Sequence, residues 1–148
     1  ASGDYIDFGE LSSKTARYGT SQMLIASNAV DGYYVSVDGA TMSSGSNEIT
    51  QLSNADVSRP GTAQFGLNLV GNSSPAVGQG PFGPGISSTT STYQQPNFYK
   101  FNSGDTIISQ PVPSDIRQYT ASYIVNVPAT QEPGIYVSTL TYICLASF

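Results

Sequence analysis

Few windows of this chain repeat apolar residues at helical spacing, and Gly or Pro interrupts most of those that do. Short runs rich in β-branched and aromatic residues recur instead, each bounded by Gly, Asn, Asp, Ser or Pro. That pattern leaves little room for helices and predicts strands over residues 5–8, 21–27, 32–37, 48–52, 63–70, 98–101, 106–109, 118–127 and 135–146. In GYYVSVDG the alternation puts Tyr33, Val35 and Val37 on one face and Tyr34, Ser36 and Asp38 on the other. The clusters SSGSN at 43–47 and FNSGD at 101–105 read as turns. Many short strands at regular spacing predict an all-β chain, an antiparallel sandwich or barrel.

With 148 residues the chain suits one domain, 1–148, with a sizeable core. Hydrophobic residues make up 39% and charged ones only 10%, against about 25% charged in an average soluble domain. The surface must therefore rely on Ser, Thr, Asn, Gln and Gly. One stretch breaks the strand rhythm: residues 71–96 form a long Gly/Pro/Ser-rich run. A loop of this length is read either as a surface insertion or as a contact arm to a neighbour or ligand.

The net charge of −5 and five scattered cations, Lys14, Arg17, Arg59, Lys100 and Arg117, give no basic patch for nucleic acid or an anionic membrane surface. No apolar run is long enough to span a bilayer. The chain contains no histidine, which removes Ser–His–Asp and Cys–His catalysis and the commonest metal ligand. Zinc is disfavoured with one Cys and no His. The glycine-rich 78–85 segment carries prolines and opens no helix, so it is no phosphate cradle. The ten acidic residues fall mostly at predicted turns, which favours bend formation over paired-carboxylate catalysis. Asp4, Asp7 and Glu10 offer hard oxygen ligands for calcium, but at no recognised loop spacing. No enzyme activity, cofactor or metal is expected.

Cys144 is the only cysteine, so no intrachain disulfide forms, and its place inside a strand predicts a small buried side chain. Asn72-Ser73-Ser74 is the only Asn-x-Ser/Thr sequon, making Asn72 a candidate glycosylation site. The Ser/Thr run 87–92 is a candidate for O-linked sugars. The Ala-Ser-Gly start reads either as an expression scar or as what a signal peptidase leaves behind; the second, favoured here, predicts a secreted chain. Residues 135–148 keep a strand pattern with no polar tail: Tyr136, Ser138, Leu140, Tyr142, Cys144, Ala146 and Phe148 read as the core face. A strand at a sheet edge invites pairing with another chain.

IDFGEL at 6–11 and VPATQEPGIYVSTLTY at 127–142 resemble the two ends of the spore coat U and archaic chaperone–usher pilin group. Phe8 and Gly9 fit the opening motif; Pro128, Ala129, Gln131, Gly134 and Tyr136 fit the closing one. The resemblance covers about a third of the chain. It implies an immunoglobulin-like, pilin-like sandwich completed by a donor strand from a neighbouring subunit, a β-augmentation that makes a homopolymeric filament at the cell surface. It implies a groove beside residues 135–148 and a donor in residues 4–11, with Ile6 and Phe8 as knobs, or in a C-terminal segment. The interface residues it implies are Tyr5, Ile6, Phe8, Leu11, Leu140, Tyr142, Cys144 and Phe148. Ser138 stands where that group often has Asp, and the single cysteine forbids its disulfides. Other readings are a carbohydrate-binding or adhesive sandwich, with tyrosines of DGYY or NFYK stacking on sugar rings or host receptors, and a coat protein of a closed or planar lattice.

Overall fold

The computed structural model describes residues 5–86 and 88–148. It is an all-β structure with antiparallel sheets. The strands are β1 (Arg17–Ser27), β2 (Tyr33–Gly39), β3 (Ser43–Ser44), β4 (Asn47–Glu48), β5 (Asp56–Val57), β6 (Gln64–Asn68), β7 (Asn72–Ser73), β8 (Ala76–Val77), β9 (Phe98–Tyr99), β10 (Thr106–Gln110), β11 (Ser114–Asn126) and β12 (Leu140–Ala146), with one 3-10 turn at Ser91–Tyr93. Two three-stranded sheets dominate, in the orders β1-β11-β6 and β10-β2-β12. The pairs β3–β4, β5–β9 and β7–β8 are short antiparallel accessories.

Alternation decides what faces the interior. In β2, Tyr33, Val35 and Val37 are buried, while Tyr34 is 40% exposed. From the other sheet, Phe65 and Leu67 of β6 and Tyr119, Ala121, Tyr123 and Val125 of β11 join the same cluster. Phe65 and Phe101 meet edge-on with ring centroids 5.5 Å apart. Each large apolar side chain removed from water contributes about 1.5–3 kcal/mol. The layers are also joined by a polar contact, because the Tyr33 and Tyr119 hydroxyls hydrogen-bond at 2.6 Å in the interior. A buried phenol needs such a partner, or its desolvation goes uncompensated.

The 71–96 stretch is neither a free insertion nor a projecting arm. It is a strap that closes one side of the two-sheet stack. Phe82 exchanges backbone bonds with Gln118 (3.1 and 2.7 Å), and Gly85 N–H donates to the Ile116 carbonyl at 3.0 Å. A Cβ on Gly85 would run into the Asp115 carbonyl, so only glycine lets the strap lie this close to β11. Arg117 clamps it by donating to the carbonyls of Gly83 (2.7 Å) and Pro81 (3.0 Å). The chain then crosses to the second sheet, where Ser109 N–H donates to the Ser88 carbonyl and Thr90 N–H to the Ile107 carbonyl, both at 2.9 Å. Leu24 pairs with Gln118 on the opposite flank, so the strap lies on the β6 side of β11. It likewise lies on the flank of β10 away from β2.

Several expected strands come out differently. Residues 5–8 are extended but form no ladder. The 48–52 strand reduces to the end of a tight hairpin, with Gln51 making a lone parallel bridge to Phe65. The strand expected over 135–146 is continuous only from Leu140, because the backbone breaks between the Val137–Ser43 bridge and the Leu140–Gly39 pair. No helix among the described residues is long and apolar enough to cross a membrane.

Candidate functional site

The strap covers one lateral side of the stack. On the other side, among the described residues, β1 pairs only with β11 and β12 only with β2, so each leaves one backbone edge without a strand partner there. Cross-strand register identifies the side chains that point between the sheets. Cys144 stands opposite Val35 and Ala146 opposite Tyr33, and directly opposed residues share a face. Val35 and Tyr33 face the core, so Cys144 and Ala146 face inward as well. Both are nevertheless exposed. On β1 the inward positions are Gly19, Ser21, Met23 and Ile25, opposite Tyr123, Ala121, Tyr119 and Arg117 in turn. Residues 19–25 of β1 and 142–146 of β12 thus edge a groove between the sheets, and no strand among the described residues pairs with either edge.

Cys144 is therefore not the buried residue its strand position predicts. It points inward, but among the described residues no strand lies on the outer flank of β12 to cover it. Partial desolvation in this apolar setting still pushes its thiol pKa up. At the groove's closed end, the Tyr123 hydroxyl bonds both Ser21 Oγ (2.9 Å) and the Tyr142 hydroxyl. Burial raises the pKa of both phenols; for Tyr142 the Tyr123 hydroxyl adds to the effect. They act as neutral hydrogen-bonding groups here, with no acid–base chemistry near neutral pH.

The implied interface residues divide into three groups. Ile6, Phe8, Leu11, Leu140 and Tyr142 are each half-buried against the common core. Ile6 sits on Gly19: a Cβ on that glycine would overlap Ile6 Cγ2 and lie 3.5 Å from Phe8 Cε1. Cys144 lies further along the same face. Tyr5 and Phe148 are not drawn in, at 89% and 87% exposed; Phe148 borders a cleft with Ala26, Pro113 and Ala146 at the far end. The β1 wall, Gly19, Ser21, Met23 and Ile25, was missed by the sequence reading. One signal was available: a glycine inside a strand marks a close approach by another chain.

Other candidates fare differently. Asn72 is a structural clamp. Its Nδ2 donates to Asn68 Oδ1, the Val70 carbonyl and the Val77 carbonyl, each at 3.0 Å, and its Oδ1 accepts from Asn68 Nδ2 at 2.7 Å and Asn97 N–H at 2.8 Å. A glycan on Nδ2 would displace those bonds, so the folded domain does not favour this site. In DGYY and NFYK, Tyr33 and Tyr99 are core residues, and only Tyr34 offers a ring to solvent. Asp4, from the calcium trio, and Ser87, from the Ser/Thr run, lie outside the described residues. Asp7 Oδ1 accepts from Gly9 N–H at 2.8 Å, an ordinary turn contact. Among the described residues no group of three His, Cys, Asp or Glu side chains stands close enough to hold a metal. No family model matches the chain, and neither a curated protein nor a solved structure matches it.

Proposed function

We propose that this chain is a structural subunit of an extracellular filament at the cell surface, assembled head-to-tail as a pilin-like, immunoglobulin-like sandwich completed by donor-strand insertion from an identical neighbour. The observation that carries the reading is the open groove, where inward-facing Cys144 and Ala146 are left exposed between two free strand edges. A strand laid there gains backbone bonds on both flanks, about 1 kcal/mol each net. Each large side chain it buries adds about 1.5–3 kcal/mol. Two open edges are a hazard in a monomer and a joint in a polymer.

The donor favoured by the chain's own residues is the opening segment, 4–11. Ile6 and Phe8 are apolar knobs at alternate positions, and residues 5–11 belong to no sheet. Insertion of this segment into the next subunit's groove is a heterologous contact that propagates a filament. The sugar-binding reading has less support, since most of its aromatic candidates are core residues. Electron microscopy of the concentrated protein tests the proposal. Long uniform filaments with a short axial repeat are expected; particles of single-domain size at every concentration would overturn it.

A further inference from the structure

Residues 5–11 have a strand's alternation without a strand's bonds. Ile6 and Phe8 are half-buried, Tyr5 and Asp7 are exposed, and no backbone ladder ties them to β1 or β12. Glu10 lies at Arg17 and Ile6 at Gly19, so the segment runs back along β1, antiparallel to it and toward the open groove. Its seat is shaped but shallow. Gly19 provides the notch for Ile6. Arg17 Nε donates to the Glu10 carbonyl at 2.6 Å, and among the described residues this is the only hydrogen bond between the segment and β1. On the other flank, a cavity of about 720 Å³ separates the segment from residues 128–137.

We infer that residues 5–11 are a removable cap: they occupy the Gly19 end of the groove in cis, and a strand from a second copy fills the whole groove only after they leave. This rests on the groove being the subunit joint. The segment that leaves is the strand the neighbour receives, so assembly is an exchange in which a seat emptied in cis is filled in trans. The contacts of Ile6 and Phe8 are regained in the neighbour, with two backbone ladders added. The capped state lowers the apparent affinity for an incoming strand by the fraction of subunits that are uncapped.

Two variants of the full chain separate the possibilities, with a fluorescent synthetic peptide of residues 1–12 as probe and polarisation as readout. An ideal Cβ at Gly19 lies 3.8 Å from Ile6 Cβ, the separation of a normal disulfide. Ile6→Cys with Gly19→Cys, in a Cys144→Ser background, therefore locks the cap on oxidation. Ile6→Ala with Phe8→Ala removes the cap's two knobs and leaves the Gly19 seat as it is for the incoming peptide. The oxidised double cysteine variant should bind the peptide at least about 100-fold more weakly than its reduced form, and Ile6→Ala with Phe8→Ala about tenfold more tightly than the parent. Equal binding by the oxidised and reduced forms would overturn the cap and leave the groove reading intact. No binding by any variant, Ile6→Ala with Phe8→Ala included, would overturn the groove reading and the cap with it.

Discussion

Single residues in this molecule change meaning with their neighbours. Asn72 is a sequon in the sequence and a clamp in the fold, joining the end of β6, the β7–β8 hairpin and the backbone at Asn97. Asn97 holds a positive φ of 67° and accepts the N–H groups of Ser73 and Ser74, each at 2.9 Å. Replacing Asn72 with Ala leaves several of these groups unpaired. The expected loss is about 1–3 kcal/mol, read as a lower urea midpoint with an unchanged slope. Cys144 makes the opposite case, a core-facing residue that solvent reaches. Its raised pKa keeps thiolate scarce near neutral pH. An aromatic disulfide reagent should label the monomer slowly, faster with each step up in pH, and should fail to label assembled filaments. Equal labelling of both forms would place the subunit joint elsewhere.

At the level of elements, the two lateral sides of the stack are treated differently. The strap gives β11 and β10 their missing neighbours, so that side makes no demand on another molecule. It also explains why β11 is buried on both faces from Tyr119 to Asn126, including Thr120, Ser122 and Ile124, which point away from the core. β12 has no such cover, and both of its faces remain largely exposed beyond Tyr142. A charge placed there tests the element directly. Cys144→Lys should change stability by no more than about 0.5 kcal/mol, because the site is solvated in the monomer. It should abolish filaments, because an inserted strand would bury an unpaired ammonium. Filaments of normal abundance from this variant would count against β12 as the receiving edge.

For the whole molecule, the two sheets are welded by tyrosines rather than by ion pairs. Burial holds the phenols of Tyr33, Tyr93, Tyr123 and Tyr142 above their ordinary range and pushes Tyr99 up to about 12. The unfolded phenol ionises near pH 10. Below that pH the folded and unfolded states bind the same phenolic protons, and the contribution of these groups to stability is complete. Above it the unfolded chain loses protons that the folded chain keeps. Stability then falls by about 1.4 kcal/mol per pH unit for each such tyrosine until its folded pKa is reached. A cooperative alkaline unfolding transition is expected above about pH 10, followed by circular dichroism. Ionisation of Tyr33, Tyr93, Tyr99, Tyr123 or Tyr142, followed residue by residue by NMR, well before the loss of structure would show that these phenols are not desolvated.

The amino-acid pattern alone specified the all-β class, the inward set Tyr33, Val35 and Val37, and the turns at 43–47 and 101–105. These are local properties: period-two alternation encodes which face of a strand is buried, and Gly, Asn and Asp encode where it bends. Ile6, Phe8, Leu11, Leu140 and Tyr142, which the family resemblance singled out, are each half-buried against the core. Only the tertiary structure decided lateral order. Alternation carries no information about which strand lies beside which, since backbone edges are chemically identical in every strand. So the strap read as a loop, the unladdered 5–8 segment read as a strand, and Cys144 read as core. The open edge follows from a chain that spends its longest polar stretch closing one side of the stack and leaves β1 and β12 to face each other across a gap.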